Sequence, residues 1–169
     1  CGMKETLALL RQVLTPEAKV WALSEGDPMV TKEVALRITA RYNPLGIYET
    51  AILGMLAHPS GWATAAHECV EAAKGIPVIS FGARHVHPRV AEIMEYAAIV
   101  GGCVSCATPA GARLAGKSPT GTMPHAMVLI FGDTVRAAQA YDRHMPPDLP
   151  RVALVDTFKD EAEESLRVA

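Results

Sequence analysis

The sequence predicts an α/β fold, part of a β/α barrel preceded by a helix and a hairpin. Three observations predict it. After residue 45, short apolar runs bounded by glycine or proline alternate with helical patterns, the rhythm of a parallel sheet or barrel. Before residue 45 the pattern is a helix and then an alternating strand, too little to form a core alone. Only about half of the strand–helix units of a closed barrel can be counted, and such a barrel usually needs about 250 residues against the 169 present.

Residues 4–14 carry Leu7, Leu10, Val13 and Leu14 at helical spacing, ended by Thr15-Pro16. Residues 19–23 are short and extended, residues 24–28 read as a turn, and residues 33–42 alternate as a half-buried strand. Residues 46–57 and 60–74 predict two helices, the second capped by Ser60 and closed by Gly75 and Pro77. Residues 76–81 suit a buried parallel strand. Residues 88–100 predict a helix with proline in its first turn. Residues 101–106 predict a second strand and residues 108–115 a short helix. Periodicity does not decide whether residues 124–131 are strand or helix. Residues 133–141 predict a helix capped by Asp133, residues 151–157 a third apolar strand, and a last helix starts at Lys159.

Bulk properties exclude several function classes. Half of the residues are hydrophobic and the formal net charge is -2, so no strong field steers the chain to nucleic acid or to an anionic membrane. No apolar run reaches the ~18 residues of a membrane span, and the N-terminal residues lack the apolar core of a signal peptide. The expected location is cytoplasmic. Four cysteines do not make a disulfide scaffold in a chain of this size. Cys1 in place of an initiator methionine and a sequence that stops inside a helix point to a fragment.

Two motifs are decoys. Residues 111–118 match the Walker A pattern letter for letter, but the residues before the loop look helical, and Pro119, Gly121 and Pro124 interrupt any helix after it. Cys103-Val104-Ser105-Cys106 is a lone CxxC at an apolar strand end. With no second pair it lacks the four ligands of a structural zinc site, and buried, inert thiols are expected. No histidine spacing predicts a metal site.

Three predicted strand ends carry chemistry. Ser80-Phe81-Gly82-Ala83-Arg84 offers a ring to stack on and a guanidinium for carboxylate or phosphate, where parallel folds bind ligands. Thr120-Gly121-Thr122-Met123-Pro124-His125 presents an imidazole, a nucleophile or proton carrier near neutral pH. Asp156, after an apolar run, suits ribose hydroxyls or Mg²⁺. Taken singly, each also reads as an ordinary core, structural or capping residue.

Together with Tyr48-Glu49-Thr50 and Gly101-Gly102, these motifs resemble, in order and spacing, the nicotinate phosphoribosyltransferase family in its shorter bacterial and archaeal form. The resemblance runs from about residue 7 to 169. It implies an irregular α/β barrel with a β-rich sandwich domain built from both chain ends. Residues 1–45 would belong to the sandwich and residues 46–169 to the first part of the barrel. The N-terminal part and the C-terminal half would be missing. It implies a homodimer that converts nicotinate and 5-phosphoribosyl diphosphate into nicotinate mononucleotide and diphosphate for NAD synthesis. ATP would be coupled through a phosphohistidine, and Mg²⁺ required.

By motif match, Phe81 would stack on the pyridine ring and Arg84 would meet its carboxylate or a phosphate. His125 would accept the phosphoryl group, Asp156 would hold ribose hydroxyls or the metal-bound donor, and Thr122 would line the base pocket. Many members of that family carry an acid soon after the paired glycines. Here Cys103-Val104-Ser105 follows, so either the group that pairs with the base is absent or Ser105 substitutes for it. The competing expectations are a divergent, non-catalytic base-binding homologue and a P-loop nucleotide hydrolase.

Overall fold

A computed structural model describes residues 1–158 and 160–169, so the expected helix start at Lys159 lies outside the described residues. The chain divides into two compact units, Cys1–Thr120 and Gly121–Ala169.

In the first unit, α1 (Met3–Val13) buries Met3, Thr6 and Leu10. β1 (Lys19–Ala22) and β2 (Leu36–Thr39) then pair antiparallel, with Trp21 opposite Arg37. This is the predicted hairpin, with strands of four residues each. After the short α2 (Tyr42–Gly46), a single helix, α3 (Glu49–Ala72), replaces the two expected at 46–57 and 60–74. Pro59 lies inside it, and Ser60 is a mid-helix residue rather than a cap. A proline has no N–H to give the carbonyl one turn back, which here is Met55. The backbone of Gly2 approaches that carbonyl so closely that a Cβ would lie 1.8 Å from its oxygen.

β3 (Ile79–Ser80) is shorter than the buried strand expected at 76–81, with Ile76 and Ile79 exposed, and leads through a 3₁₀ turn (Gly82–His85) into α4 (Pro88–Val100), the predicted helix. The His87 side chain accepts from the Arg89 N–H and caps α4, and Pro88 occupies its first turn. The paired glycines expected to open a strand instead stop this helix. Gly102 has φ +115, open to glycine and strained for other residues, and the Cys103 N–H turns back to the Ala98 carbonyl. β4 (Ser105–Cys106) then pairs parallel with β3, Ile79 opposite Ser105 and Ser80 opposite Cys106. Val104 N–H to Val78 and Ala107 N–H to Ser80 extend the ladder at both ends.

α5 (Pro109–Leu114), capped by Thr108, packs on α4 at the fully buried Gly111 and Ala112. It swallows the start of the Walker-like string. Gly116 takes a left-handed turn, and the Gly116 and Lys117 N–H groups point back to the Arg113 and Ala112 carbonyls. The string is thus a helix C-terminus, whose dipole repels phosphate, and its amides are already used.

In the second unit, residues 125–131, ambiguous by periodicity, form α6 (His125–Phe131), stopped by the left-handed Gly132. Asp133 caps α7 (Thr134–His144) by accepting the Arg136 N–H and also pairs with Arg167. α8 (Glu161–Val168) ends the described chain. The core is Met123, Val128 and Ala137, with Met127, Phe131, Tyr141, Ala153 and Leu154 against it.

The predicted third strand at 151–157 is corrected: no strand is assigned there among the described residues. The segment is joined to its neighbour by the Met123 N–H to the Val152 carbonyl. Its first residue is occupied elsewhere, because the Arg151 guanidinium donates to the carbonyls of Met145, Pro146, Pro147 and Leu149 and pairs with Asp142. The described sheets are therefore two two-stranded pairs, one antiparallel and one parallel.

Gly101 sets how closely α4 approaches α3, since a Cβ there would sit 2.3 Å from the Ala63 carbonyl oxygen. Gly101→Ala is expected to destabilise the protein by about 1–3 kcal/mol through overpacking, read as a lower urea midpoint at unchanged slope.

Candidate active site

Phe81, Arg84 and Ser105 belong to the first unit; Thr122, His125 and Asp156 belong to the second. In the first unit the parallel pair places the end of β3 beside the end of β4. Phe81 leaves β3 and caps the 3₁₀ turn, and the residue is 45% exposed, so it is no core residue. Arg84 sits on that turn, exposed, with no ion pair among the described residues. Both remain open to a ligand.

Ser105 is buried and forms a relay: the Thr120 hydroxyl donates to its Oγ (2.8 Å), and that Oγ donates to the Ser118 carbonyl (2.9 Å). Its proton is committed to the backbone, so its remaining capacity is as an acceptor.

The loop after β4 is held by Glu95, fully buried on α4. Its carboxylate accepts from the Ala107 N–H (3.3 Å) and the Thr108 N–H (2.6 Å). Sequence reading passed over Glu95 and gave Thr120 no role of its own. For Glu95 the signal was there, an acid on the stripe of α4 that buries Ala91, Met94 and Ala98. For Thr120 no pattern marks the partner.

Cys103 and Cys106 are free and buried. Burial pushes the Cys106 thiol up to about 11, and the nearby Glu95 carboxylate adds to the rise; burial raises Cys103 too, with Cys69 next. Thiols held protonated are poor nucleophiles and ligands. No cluster of three metal-binding side chains occurs among the described residues. A cavity of about 460 Å³ in the first unit is lined by Glu5, Glu25 and Glu92 but by none of the site residues. Its acidic lining disfavours an anionic substrate.

In the second unit, the neighbouring extended backbones at Met123 and Val152 bring the residues that follow them together. His125 Nε2 lies 3.2 Å from Asp156 Oδ1, with both side chains about half exposed. Two residues predicted independently are thus one couple. Thr122 is exposed, and its hydroxyl donates to the Met123 carbonyl (3.3 Å).

Comparison with known proteins divides the chain at a different point from the two compact units. The model of the quinolinate phosphoribosyl transferase N-terminal domain matches residues 1–60, and that of the C-terminal domain matches residues 62–169. The chain belongs to the quinolinate phosphoribosyl transferase family. The motif resemblance names nicotinate phosphoribosyltransferases; the domain models place the chain in this family instead.

The curated relatives are distant and carry the nicotinate phosphoribosyltransferase name. The nicotinate phosphoribosyltransferase pncB2 of Mycobacterium tuberculosis is 31% identical over 141 residues, covering 83% of this chain and 30% of that protein. Its pncB1 counterpart is 29% identical, covering 80% and 32%. The chain therefore spans about a third of the length of these curated relatives. Among solved structures, the nicotinate-nucleotide pyrophosphorylase from Pyrococcus furiosus superposes with a TM-score of 0.90 at 43% identity, over 98% of this chain and 42% of that one. A NadC deletion mutant superposes at 0.68 with 18% identity, over 99% and 57%, and supports the fold alone. No helix among the described residues is long and apolar enough to cross a membrane.

The thiol assignment predicts a pH dependence. The folded value of Cys106 lies above its ordinary 9.0, so its contribution to stability is complete below about pH 9 and is lost as pH rises towards 11. The urea midpoint of the wild type is expected to fall more steeply between pH 9 and 11 than that of Cys106→Ala. Equal slopes would contradict the assignment.

Proposed function

We propose that the protein containing this chain transfers the phosphoribosyl group of 5-phosphoribosyl diphosphate to nicotinate, forming nicotinate mononucleotide and diphosphate, with ATP coupled through phosphorylation of His125. The observation that carries this reading is the His125–Asp156 couple, 3.2 Å apart inside the region matched by the family's C-terminal domain.

The chemistry sets what the residues must do. The ring nitrogen of the base attacks C1 of the ribose as its bond to the diphosphate oxygen breaks. Positive charge builds on the sugar and negative charge on the departing diphosphate. Positioning and electrostatics are then the main sources of rate. Phe81, its ring free at the end of β3, would stack on the pyridine. Arg84 would meet the base carboxylate, and buried Ser105 would accept from a group at the ring edge. Thr122 would line the base pocket. Asp156 would accept from the ribose hydroxyls or ligate a metal-bound donor.

A carboxylate so near Nε2 favours a proton on that nitrogen, which leaves Nδ1 with the lone pair. Nδ1 would attack the γ-phosphorus of ATP, ADP leaving with the bond electrons. Mg²⁺ fits the donor set in a limited sense. Asp156 offers one partly exposed carboxylate, suited to an ion held mainly by water and phosphate oxygens. Such an ion would neutralise charge on the diphosphate.

The names of the relatives support nicotinate as the base; the name of the domain family supports quinolinate. The two separate cleanly, because forming the same mononucleotide from quinolinate releases CO₂. The intact protein is expected to form nicotinate mononucleotide from nicotinate without CO₂ and to be stimulated by ATP. His125→Ala should lose about ten-fold or more of the ATP-dependent rate while keeping slow transfer. CO₂ release from carboxyl-labelled quinolinate would move the assignment to that base. Undiminished ATP stimulation in the variant would remove His125 from its role. Base binding without turnover would favour a non-catalytic homologue.

A further inference from the structure

Glu164 lies in the first turn of α8 among four acids in five residues, where a solvated role would be ordinary. It is instead 4% exposed. One carboxylate oxygen accepts the Thr134 hydroxyl at 2.5 Å and the other accepts the Phe158 N–H at 3.0 Å. A buried carboxylate is costly unless such donors meet it, so the position is specified by its partners.

Those partners matter because of what lies between them. Past the Val152 carbonyl, the backbone up to Phe158 has one hydrogen bond among the described residues, the one from Phe158 N–H to Glu164. No strand ladder holds this stretch, and the Thr157 hydroxyl is buried without a partner among the described residues. Asp156 sits two residues before the anchored amide. The placement of its carboxylate against His125 thus depends on a contact made from another helix.

We propose that Glu164 is a positioning residue that fixes the turn after Asp156 and so holds the Asp156 carboxylate on His125. The inference rests on the role assigned to that couple under the proposed function. Misplacing such a group by about 1 Å can cost on the order of 100-fold in rate. Replacing Glu164 by leucine would strand the Phe158 N–H and the Thr134 hydroxyl and free the turn. Glutamine keeps the geometry: its oxygen accepts from Phe158, and its amide donates to a Thr134 hydroxyl that has turned round.

The test uses the intact protein labelled with ¹⁵N-histidine. Long-range ¹H–¹⁵N spectra read which ring nitrogen of His125 carries the proton, alongside turnover. The wild type and Glu164→Gln are expected to hold the proton on Nε2 and to turn over within about two-fold of each other. Glu164→Leu is expected to show both tautomers and a kcat lower by about ten-fold or more, with KM for the base little changed. Should that variant not fold, Glu164→Asp, one methylene too short to span both partners, carries the same expectation. A wild-type tautomer and kcat in Glu164→Leu or Glu164→Asp would overturn the proposal, as would a Glu164→Gln variant as impaired as the leucine one. Asp156→Ala is the control for the underlying reading. If it leaves tautomer and turnover unchanged, the couple itself has no role, a failure distinct from that of Glu164.

Discussion

Backbone amides that leave a short or unpaired strand must find acceptors, and in both units a buried glutamate supplies them. An N–H left unpartnered in the interior costs on the order of 1–3 kcal/mol, and a buried carboxylate left without donors costs more. Each group meets the other's need. Glu95 on α4 takes the amides of Ala107 and Thr108 as the chain leaves β4. Glu164 on α8 takes the amide of Phe158 as the chain turns after Asp156. The described sheets are only two strands wide, so their ladders alone do not aim these connections. Helix-borne carboxylates do, and the candidate residues Ser105 and Asp156 lie just before the anchored amides of Ala107 and Phe158.

Glycines do comparable work at the helix ends. Gly102 and Gly116 stop α4 and α5 by turning the chain so that the next amides return to the helix. This accounts for the Walker-like decoy and for the misplaced start of the second strand. A phosphate loop needs outward-facing amides at a helix start, whereas the string at 111–118 closes a helix end. The paired glycines at 101–102 look like the mouth of a strand in one dimension and are a helix terminator in three.

How much was legible in the sequence depended on whether the signal was local. α4 was readable from Pro88 to Val100 because its proline start, apolar stripe and glycine stop all lie within the element. The Asp133 cap was readable for the same reason. The helix through Pro59 was not, because proline is locally a helix breaker, and the Gly2 backbone packed at the Met55 carbonyl comes from far away in the chain. Nor was the loss of the strand at 151–157, since an apolar run does not tell whether a partner strand will meet its backbone groups, and here, among the described residues, one bond, from the Met123 N–H to the Val152 carbonyl, does so. In the site, Phe81, Arg84, His125 and Asp156 were visible as unusual residues at the ends of apolar runs. That His125 and Asp156 share a site followed from the family resemblance and not from any local pattern, and Glu164 was hidden among other acids. Single side chains of reactive type can be picked from a line of text; the contacts that aim them are set by packing between distant segments.

The functional account assigns a ring and a guanidinium of the first unit to the base, and an imidazole and a carboxylate of the second to the phosphoryl and ribose chemistry. A crystal structure of the intact protein with nicotinate mononucleotide and diphosphate bound tests this most directly. The account predicts the pyridine ring against Phe81 with its carboxylate within reach of Arg84, and His125 still paired through Nε2 with Asp156. A mononucleotide bound away from Phe81 and Arg84, or a His125 turned away from Asp156, would contradict it.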